Sequence, residues 1–432
     1  MTTRVGVVGA GYVGLTSAVC LAAKGIDTVC VDSDPGRVTT LRAGLPVIDE
    51  PELDALLRAV LIRKTLRFDT EVGALADRDV VFVCVPTPVG TDGSADISAV
   101  DGAVAALAIT LSPGSTVVVK STVPVGTCRR LAVGLADRGI EVVANPEFLR
   151  EGYAVDDFRH PDRVVIGAAD PDGVGATSVA ALYRGDSETV LRMSLESAEL
   201  AKYASNAFLA VKLSFVNSLA QLSGRVGAEI ADITRCMGAD PRIGRHFLRP
   251  GPGWGGSCLP KDTAALLHTG RSHGVALAEV ASARRTNSAQ VQRIVGVLQP
   301  LLRRPLNRLR VAVLGLTFKA GTSDVRDSPA LAVCTGLHRA GAQVTAYDPR
   351  LDRIDLTGLP VATAEDPYLA SKDADAILVL TEWPDFTGLD WESIRRCAAG
   401  DAVVVDTRNI VDHTAVAAAR LAYFGNGTAH GY

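Results

Sequence analysis

No apolar run in this chain approaches the ~18 consecutive residues that a membrane-spanning helix needs, so no span is predicted. The start reads Met1-Thr2-Thr3-Arg4 and passes straight into Val5-Gly6-Val7-Val8-Gly9. That is a strand and a turn rather than a basic head with a long apolar core, and the expectation is a cytoplasmic protein. An excess of one charge is also missing. Lys and Arg number 44 against 48 Asp and Glu, for a net charge of −4. Acids and bases are interspersed, and no basic stripe points to nucleic acid or to a membrane surface. The eight cysteines are scattered singly, with no CxxC pair. This argues against zinc ribbons and thioredoxin-like redox pairs, and no metal site is expected. Cys20, Cys30, Cys84 and Cys334 fall in apolar strand or helix patterns and read as inert core thiols.

What the chain does have is material for cores. With 432 residues, 47% of them hydrophobic, it is long enough for two or three domains. Short β-branched runs recur at Val5–Val8, Thr28–Val31, Val80–Val85, Thr116–Val119, Glu141–Ala144 and Arg163–Ile166. Helical patterns lie between several of them, which predicts a parallel sheet covered on both faces. The alternation then stops. From Leu195 to about Gly227 the sequence predicts one long helix, and further helical stretches are broken by a Gly/Pro-rich loop between Pro241 and Pro260.

A second α/β pattern begins near Leu309, with runs at Arg310–Leu314, Gln343–Tyr347, Ala376–Leu380 and Ala402–Val405. It echoes the first. The first run ends at Gly9 in one and Gly315 in the other, and the second at Asp32 and Asp348. The prediction is an α/β protein of two doubly wound domains with similar topology, joined by a long helix and a helical middle segment. Residues Gly425 to Tyr432 read as a frayed end.

Gly9-Ala10-Gly11-Tyr12-Val13-Gly14 fits G-x-G-x-x-G, follows an apolar strand, opens a helix and has Asp32 at the end of the next strand. In that context the motif binds a dinucleotide. Gly9 makes the tight turn, Gly11 admits the pyrophosphate to the backbone, and Gly14 lets the helix pack on the sheet. The helix N-terminus faces the phosphates with unpaired N–H groups. Asp32 would bind the adenosine ribose and repel a 2′-phosphate, favouring NAD over NADP; Arg37 is the one neighbour that would suit NADP. The second unit has only Gly315-Leu316-Thr317-Phe318-Lys319. Its lysine suits a phosphate as a point charge, so this domain is expected to hold a different phosphorylated ligand.

The stretch Gly253-Trp254-Gly255-Gly256-Ser257-Cys258-Leu259-Pro260-Lys261-Asp262 stands apart. Pro260 suits the first position of a helix and Asp262 its first turn. Cys258 then precedes a helix N-terminus beside Lys261, and both features stabilise thiolate. A nucleophilic cysteine next to NAD has a specific use. An aldehyde captured as a thiohemiacetal can be oxidised to a thioester, which water releases as an acid.

These residues carry a resemblance. The chain resembles the UDP-glucose/GDP-mannose dehydrogenases across nearly its whole length. The matching motifs are Gly9–Gly14, Ser121-Thr122-Val123-Pro124-Val125-Gly126, Asn145-Pro146-Glu147-Phe148-Leu149-Arg150-Glu151-Gly152, Lys202 through Asn206, Gly255 to Asp262, Gly315 to Arg326, and Asp406-Thr407-Arg408-Asn409. The resemblance implies two Rossmann-like domains. On this reading residues 1–194 bind NAD, 195–305 form a central helical, dimerising segment, and 306–432 bind the nucleotide sugar. It also implies oxidation of a sugar C6 alcohol to a carboxylate with two NAD, and a homodimer or larger homo-oligomer, through the long helix.

The resemblance further implies roles for residues. Cys258 is the nucleophile. Lys202 and Asn206, one turn apart on a helix, stabilise oxyanions; Glu147, Thr122 and Asp262 position water and move protons. NAD would be held by Gly9, Gly11, Tyr12, Val13, Gly14, Asp32 and Arg37, with Pro86, Thr87, Ser121, Thr122, Glu151, Lys261 and Arg326. The nucleotide sugar would meet Glu147, Phe148, Leu149, Arg150, Lys202 and Asn206. It would also meet Arg245, Phe247, Leu248, Arg249 and Gly251 in one loop, and Gly255, Cys258, Phe318 and Lys319. Pro161 to Gly167 and Thr381-Glu382-Trp383 look more like the UDP-glucose branch, whereas Leu259 is common in the GDP-mannose branch. Trp254 stands where a smaller aromatic is usual. GDP-mannose and dTDP-glucose remain alternatives as substrates, and a non-catalytic NAD- or nucleotide-binding module is the alternative of a different class.

Overall fold

The β-branched runs become strands because their side chains pack on a pleated surface covered from both sides. The computed structural model describes residues 3–429, 431 and 432. The chain divides into two compact units. The first runs to Ser205 and includes Ala264–Gly274; the second comprises Asn206–Thr263 and everything from Val275.

In the first unit, β1 (Val5–Val8), β2 (Thr28–Val31), β3 (Leu66–Asp69), β4 (Val80–Val83), β5 (Thr116–Val119), β6 (Glu141–Ala144), β7 (Val164–Ala168) and β8 (Val190–Met193) form one sheet. Its order is β3-β2-β1-β4-β5-β6-β7-β8. Val5, Val7 and Phe82 face a core with the helix Tyr12–Ala23 and Leu53, Leu57 and Val60 of the helix Leu53–Arg63. Val29, Val31, Val81 and Val83 face a second core, with Val100, Val104 and Leu107 of the helix Ser98–Thr110. Alternation along each strand thus feeds two layers.

The sheet departs from the all-parallel expectation at one place: β7 runs antiparallel to β6. The intervening segment explains it. Glu50 accepts from the backbone N–H groups of Gly152 and Ala154 and from the Tyr12 hydroxyl. Tyr12 stands at the start of its helix, beyond the carboxyl end of β1. The chain is therefore held at the edge where β6 ended, and it re-enters the sheet from that edge. The strands not foreseen in this unit, β3 and β8, have exposed positions and weak patterns; β8 is exposed at Val190 and Leu191.

The second unit holds β9 (Arg310–Leu314), β10 (Gln343–Tyr347), β11 (Ala362–Thr363), β12 (Ala376–Val379), β13 (Val403–Asp406) and β14 (Ala422–Gly425). The order is β11-β10-β9-β12-β13-β14, all parallel. It repeats the order of the first six strands of the other sheet, the doubly wound 3-2-1-4-5-6 arrangement. The predicted long helix is present at Leu195–Val226, followed by helices Ile230–Ala239, Leu259–Ser272 and Ala278–Leu302. Pro260 is the second residue of its helix rather than the first.

The end expected to fray does not. Gly425 closes β14, Tyr432 N–H donates to Gly425 O at 3.2 Å, and Arg293 Nη2 donates to Tyr432 O at 2.6 Å. The same guanidinium lies 4.9 Å from the Tyr432 ring centroid, a cation–π contact that composition alone does not reveal. His430 lies outside the described residues.

Leu314, fully buried at the end of β9, packs with Ile377, Phe386 and Trp391. Leu314→Ala should destabilise the protein by about 2–5 kcal/mol, read as a lower chemical-denaturation midpoint. Val133→Ala, at an exposed position, should stay within about 0.5 kcal/mol.

Candidate functional site

In the first unit the turn after β1 is shaped by what a side chain would strike. Gly9 has φ +94°, and a Cβ there would lie 2.7 Å from Cys84 O; one on Gly14 would lie 1.8 Å from Gly9 O. A Cβ on Gly11 would meet nothing within 4 Å, so the space above the turn is open. Gly11 caps the helix Tyr12–Ala23 with no side-chain hydrogen bond, leaving its first amides to a ligand. Asp32 is 8% exposed and fixes the turn by accepting from Ala10 N at 2.7 Å. Arg37 Nη1 lies 3.1 Å from the same carboxylate oxygen. The residue that would suit a 2′-phosphate is thus bound by the residue that repels one. Open space, bare amides and a carboxylate together fit a dinucleotide with a free ribose diol. Beside this turn Val13 packs on the core, Thr87 is buried and Pro86 is exposed.

Past the carboxyl ends of β5 and β6 lie the next two motifs. Ser121 Oγ donates to Val85 O at 2.7 Å. Ser121, Thr122, Glu199 and Lys202 line a small recess with Val119, Pro146 and others. Lys202, 3% exposed, donates to Glu147 O at 2.6 Å and lies 3.0 Å from Glu147 Oε1. Burial alone would raise the Glu147 pKa. The Lys202 charge and hydrogen bond, the Leu149 N–H and the Lys120 charge outweigh it and hold the pKa below the usual value. The Phe148 ring has two cations near it, with Arg163 3.8 Å and Lys202 5.1 Å from its centroid. Arg150 is exposed and paired with Asp157, and Glu151 is half-buried.

Three residues that sequence reasoning passed over hold this half together. Glu50 ties Tyr12 to the segment after Glu151. Glu199 accepts from Gly126 N (2.6 Å) and Cys128 N (2.7 Å) at the start of the helix Thr127–Leu135. Lys120, 4% exposed, bonds to Asn145 Oδ1 and Tyr183 OH, both at 3.1 Å. Nothing in their spacing marks them. Only Lys120, a lysine at the end of an apolar strand, carried a signal.

In the second unit, Cys258 immediately precedes the helix Leu259–Ser272 and is half-buried. Its loop admits no larger residues. A Cβ on Gly255 would lie 2.0 Å from Asp327 O, and one on Gly256, with φ +78°, would lie 2.8 Å from the Phe318 ring. Trp254 is buried, not lining open space. Its indole N–H donates to Ser214 Oγ at 2.9 Å, and Asn287 bonds both its N–H and its carbonyl. Asp262 is fully buried, accepting from Asn206 Nδ2 at 2.6 Å and lying 2.5 Å from Lys261 Nζ. The Lys261 charge, read from sequence as support for the thiolate, is therefore committed to Asp262.

The loop before the cysteine is mixed. Arg245, Phe247 and Arg249 are exposed, and Phe247 has φ +60°. Leu248 points into a cluster with Val216, Ala220 and Ile230, so its side chain is a core residue. Gly251 N–H donates to Asn217 Oδ1 at 2.9 Å, and a Cβ there would meet Arg408 at 2.7 Å. Arg408 also lies 3.0 Å from Glu382 and donates to Phe318 O at 3.2 Å. It joins the three segments, and the Asp406–Asn409 motif was the available signal for it. Lys319 and Phe318 are half-buried; Arg326 is exposed and paired with Asp324. The turn at Gly315 mirrors the one at Gly9. Gly315 has φ +95°, and Asp348 accepts from Leu316 N at 2.7 Å.

Comparison with known proteins gives the family. Residues 3–185 match the NAD binding domain of the UDP-glucose/GDP-mannose dehydrogenase family, 196–289 its central domain and 312–413 its UDP binding domain. A UDP-glucose 6-dehydrogenase of Rhizobium meliloti (strain 1021) is 41% identical over 419 residues, covering 94% of this chain and 95% of that protein. One of Pseudomonas aeruginosa is 40% identical over 441 residues, covering 98% and 97%. The solved UDP-glucose dehydrogenase of the hyperthermophilic archaeon Pyrobaculum islandicum superposes with a TM-score of 0.89 at 37% identity, covering 99% of this chain and 98% of that one. The chain belongs to the UDP-glucose/GDP-mannose dehydrogenase family. It is an NAD-dependent nucleotide-sugar dehydrogenase. Among the described residues no helix is long and apolar enough to cross a membrane, and no cluster of three acidic, His or Cys side chains is placed to hold a metal.

Asp32→Ser removes the carboxylate and releases Arg37. NAD discrimination over NADP, measured as the ratio of kcat/KM, should fall by roughly thirtyfold or more, about 2 kcal/mol for lost charged hydrogen bonds.

Proposed function

We propose that this enzyme oxidises the C6 alcohol of UDP-glucose to the carboxylate of UDP-glucuronate, with Cys258 holding the half-oxidised sugar. The observation that carries this reading is the cysteine loop. Cys258 stands immediately before a helix N-terminus, in a loop whose glycines are enforced by Asp327 and Phe318. A two-electron alcohol dehydrogenase has no need of such a sulfur. The curated relatives reported above, named UDP-glucose 6-dehydrogenases, support the choice of sugar nucleotide.

On this reading residues 1–194 hold NAD and 306–432 the sugar nucleotide, with 195–305 between them. Gly9, Gly11, Tyr12, Val13, Gly14, Asp32, Pro86, Thr87, Ser121, Thr122, Glu151, Lys261 and Arg326 are the NAD-holding set. When bound, NAD accepts one hydride in each of the two oxidations. The chain's own residues do the rest. The Cys258 thiolate attacks the C6 aldehyde carbon, and its sulfur keeps that carbon covalently attached through the second oxidation. Lys202 offsets negative charge on the C6 oxygen, and Asn206 donates a hydrogen bond to it. The Lys202 ammonium is held by Glu147, and the Asn206 amide by Asp262. Water then attacks the thioester carbon, the C–S bond breaks, and sulfur leaves as thiolate. Glu147, kept ionised by its lysines, and Asp262 are the groups through which protons leave, one from the C6 hydroxyl in each oxidation and one from the attacking water, which Thr122 positions.

The same reading places the enzyme in the cytoplasm as a homodimer or larger homo-oligomer. Phe208, Phe215 and Leu222 recur every seventh residue along the helix Leu195–Val226 and are 63%, 53% and 54% exposed. A heptad stripe of large apolar side chains is what a second copy of the same helix would bury.

With UDP-glucose the enzyme should form two NADH per sugar, counted by absorbance. Cys258→Ala should lose steady-state turnover by several orders of magnitude. Full turnover in that variant with two NADH per sugar would sink the thioester route, and preferred turnover of GDP-mannose or dTDP-glucose would overturn the substrate. Phe215→Asp should shift the sedimenting species from dimer or larger to monomer; an unchanged mass would remove the helix from the interface.

A further inference from the structure

Lys261, the cation beside Cys258 in sequence, is committed elsewhere. Lys261 is neutralised by Asp262 at 2.5 Å. The helix Ala278–Leu302 supplies another. Arg284 Nη1 donates to Pro260 O and to Thr263 Oγ1, both at 2.7 Å. One turn along the same helix, Asn287 accepts from Trp254 N and donates to Trp254 O, both at 2.8 Å. The cysteine segment is therefore gripped on both sides, four residues before Cys258 and two after it.

The two grips differ in charge. Arg284 is half-buried, and among the described residues no carboxylate lies within 4.0 Å of it. Burial pulls its pKa below the usual arginine value, and the Asp327 charge offsets this only in part. Its hydrogen bonds fall in the first turns of the helix Leu259–Ser272, the positive end of that helix's dipole. A cation there is unfavourable unless an anion joins it. Asp262, the carboxylate of that turn, is taken up by Lys261 and Asn206, and Cys258 immediately precedes the same helix end.

We propose that Arg284 is a positioning residue for Cys258, locking the helix turn that Cys258 precedes and favouring its thiolate through its charge. This rests on the reading of Cys258 as nucleophile. The other charged groups around the loop are paired or set back. Asp262 is held between Lys261 and Asn206. Arg326, whose carbonyl accepts from Gly256 N, is paired with Asp324. Asp327 presents its backbone carbonyl to Gly255, and Lys319 lies beside the Phe318 ring that packs on Gly256.

The test is the pH dependence of Cys258 alkylation by iodoacetamide in the full-length enzyme, followed by mass spectrometry of the Cys258 peptide. Arg284→Gln should raise the alkylation midpoint by about one pH unit, roughly a tenfold loss of thiolate at neutral pH. Arg284→Lys should restore most of it. Asn287→Ala, which loosens the same loop without removing charge, should leave the midpoint in place and lower kcat. A midpoint unmoved in Arg284→Gln, equally raised in Arg284→Lys, or equally raised in Asn287→Ala overturns the proposal. The nucleophile reading fails separately, if Cys258→Ala turns over normally while the Arg284→Gln midpoint still shifts.

Discussion

Both sheets of this enzyme rest on one hydrogen bond made twice. A carboxylate at the end of the second strand catches the amide one residue past the glycine that ends the first. Asp32 does this to Ala10, and Asp348 to Leu316, each at 2.7 Å. The bond bends the chain through a positive φ at Gly9 and Gly315. In the first unit it releases the chain at the start of a helix with open amides. Without that bend the helix would not begin where a pyrophosphate could reach it. The two turns then part in function because of what stands next to each carboxylate. Arg37 meets Asp32, leaving an edge for a ribose. At Asp348, Thr317 and Trp383 supply further donors and close the carboxylate off. The same device leaves an open turn in one unit and a closed one in the other.

Burial of charge in matched sets is the second constraint. Lys202 with Glu147 and Lys261 with Asp262 are ion pairs taken largely out of water. Such pairs contribute little to stability, because desolvation offsets attraction, yet either partner alone would be costly to bury. Their value is geometric. Each ammonium is held at one place, and Glu147 stays ionised in a site where burial alone would raise its pKa. Lys120 is handled differently. It is satisfied by an amide, a phenol and two aromatic faces, with Phe82 5.8 Å and Tyr183 5.6 Å from its ammonium. It leaves its charge to act on Glu147.

Much of this was legible in the sequence where a local pattern fixes a local structure. The strands through Val5–Val8, Thr28–Val31, Arg310–Leu314 and Gln343–Tyr347, and the helix from Leu195, lie where periodicity and β-branching put them. The Gly9 turn was legible because three glycines and one aspartate each have a steric or electrostatic task. What escaped was set by tertiary contacts. The reversal at β7 depends on Glu50, about a hundred residues away in the chain, reaching the backbone of Gly152 and Ala154. The order of the last residues depends on Arg293 meeting Tyr432. Leu248 sits among the residues expected at the sugar nucleotide, yet its side chain belongs to the core, because a loop must anchor itself on some of its own residues.

Trp254 shows how a departure from the usual residue can leave a loop's open face alone. A larger aromatic in a ligand loop would be expected to alter the pocket. Here the indole turns inward, is 6% exposed and satisfies its N–H on Ser214 of the long helix. Its backbone is held at both ends by Asn287. The added bulk is spent beneath the loop, leaving the glycines at 255 and 256 to set the upper surface. Those glycines cannot vary, since Asp327 O and the Phe318 ring already occupy the space a side chain would need. A buried aromatic anchor below and enforced glycines above leave the cysteine segment little freedom. Under the proposed thioester route, a loop that keeps one sulfur aimed at a carbon through two successive oxidations would gain from that rigidity.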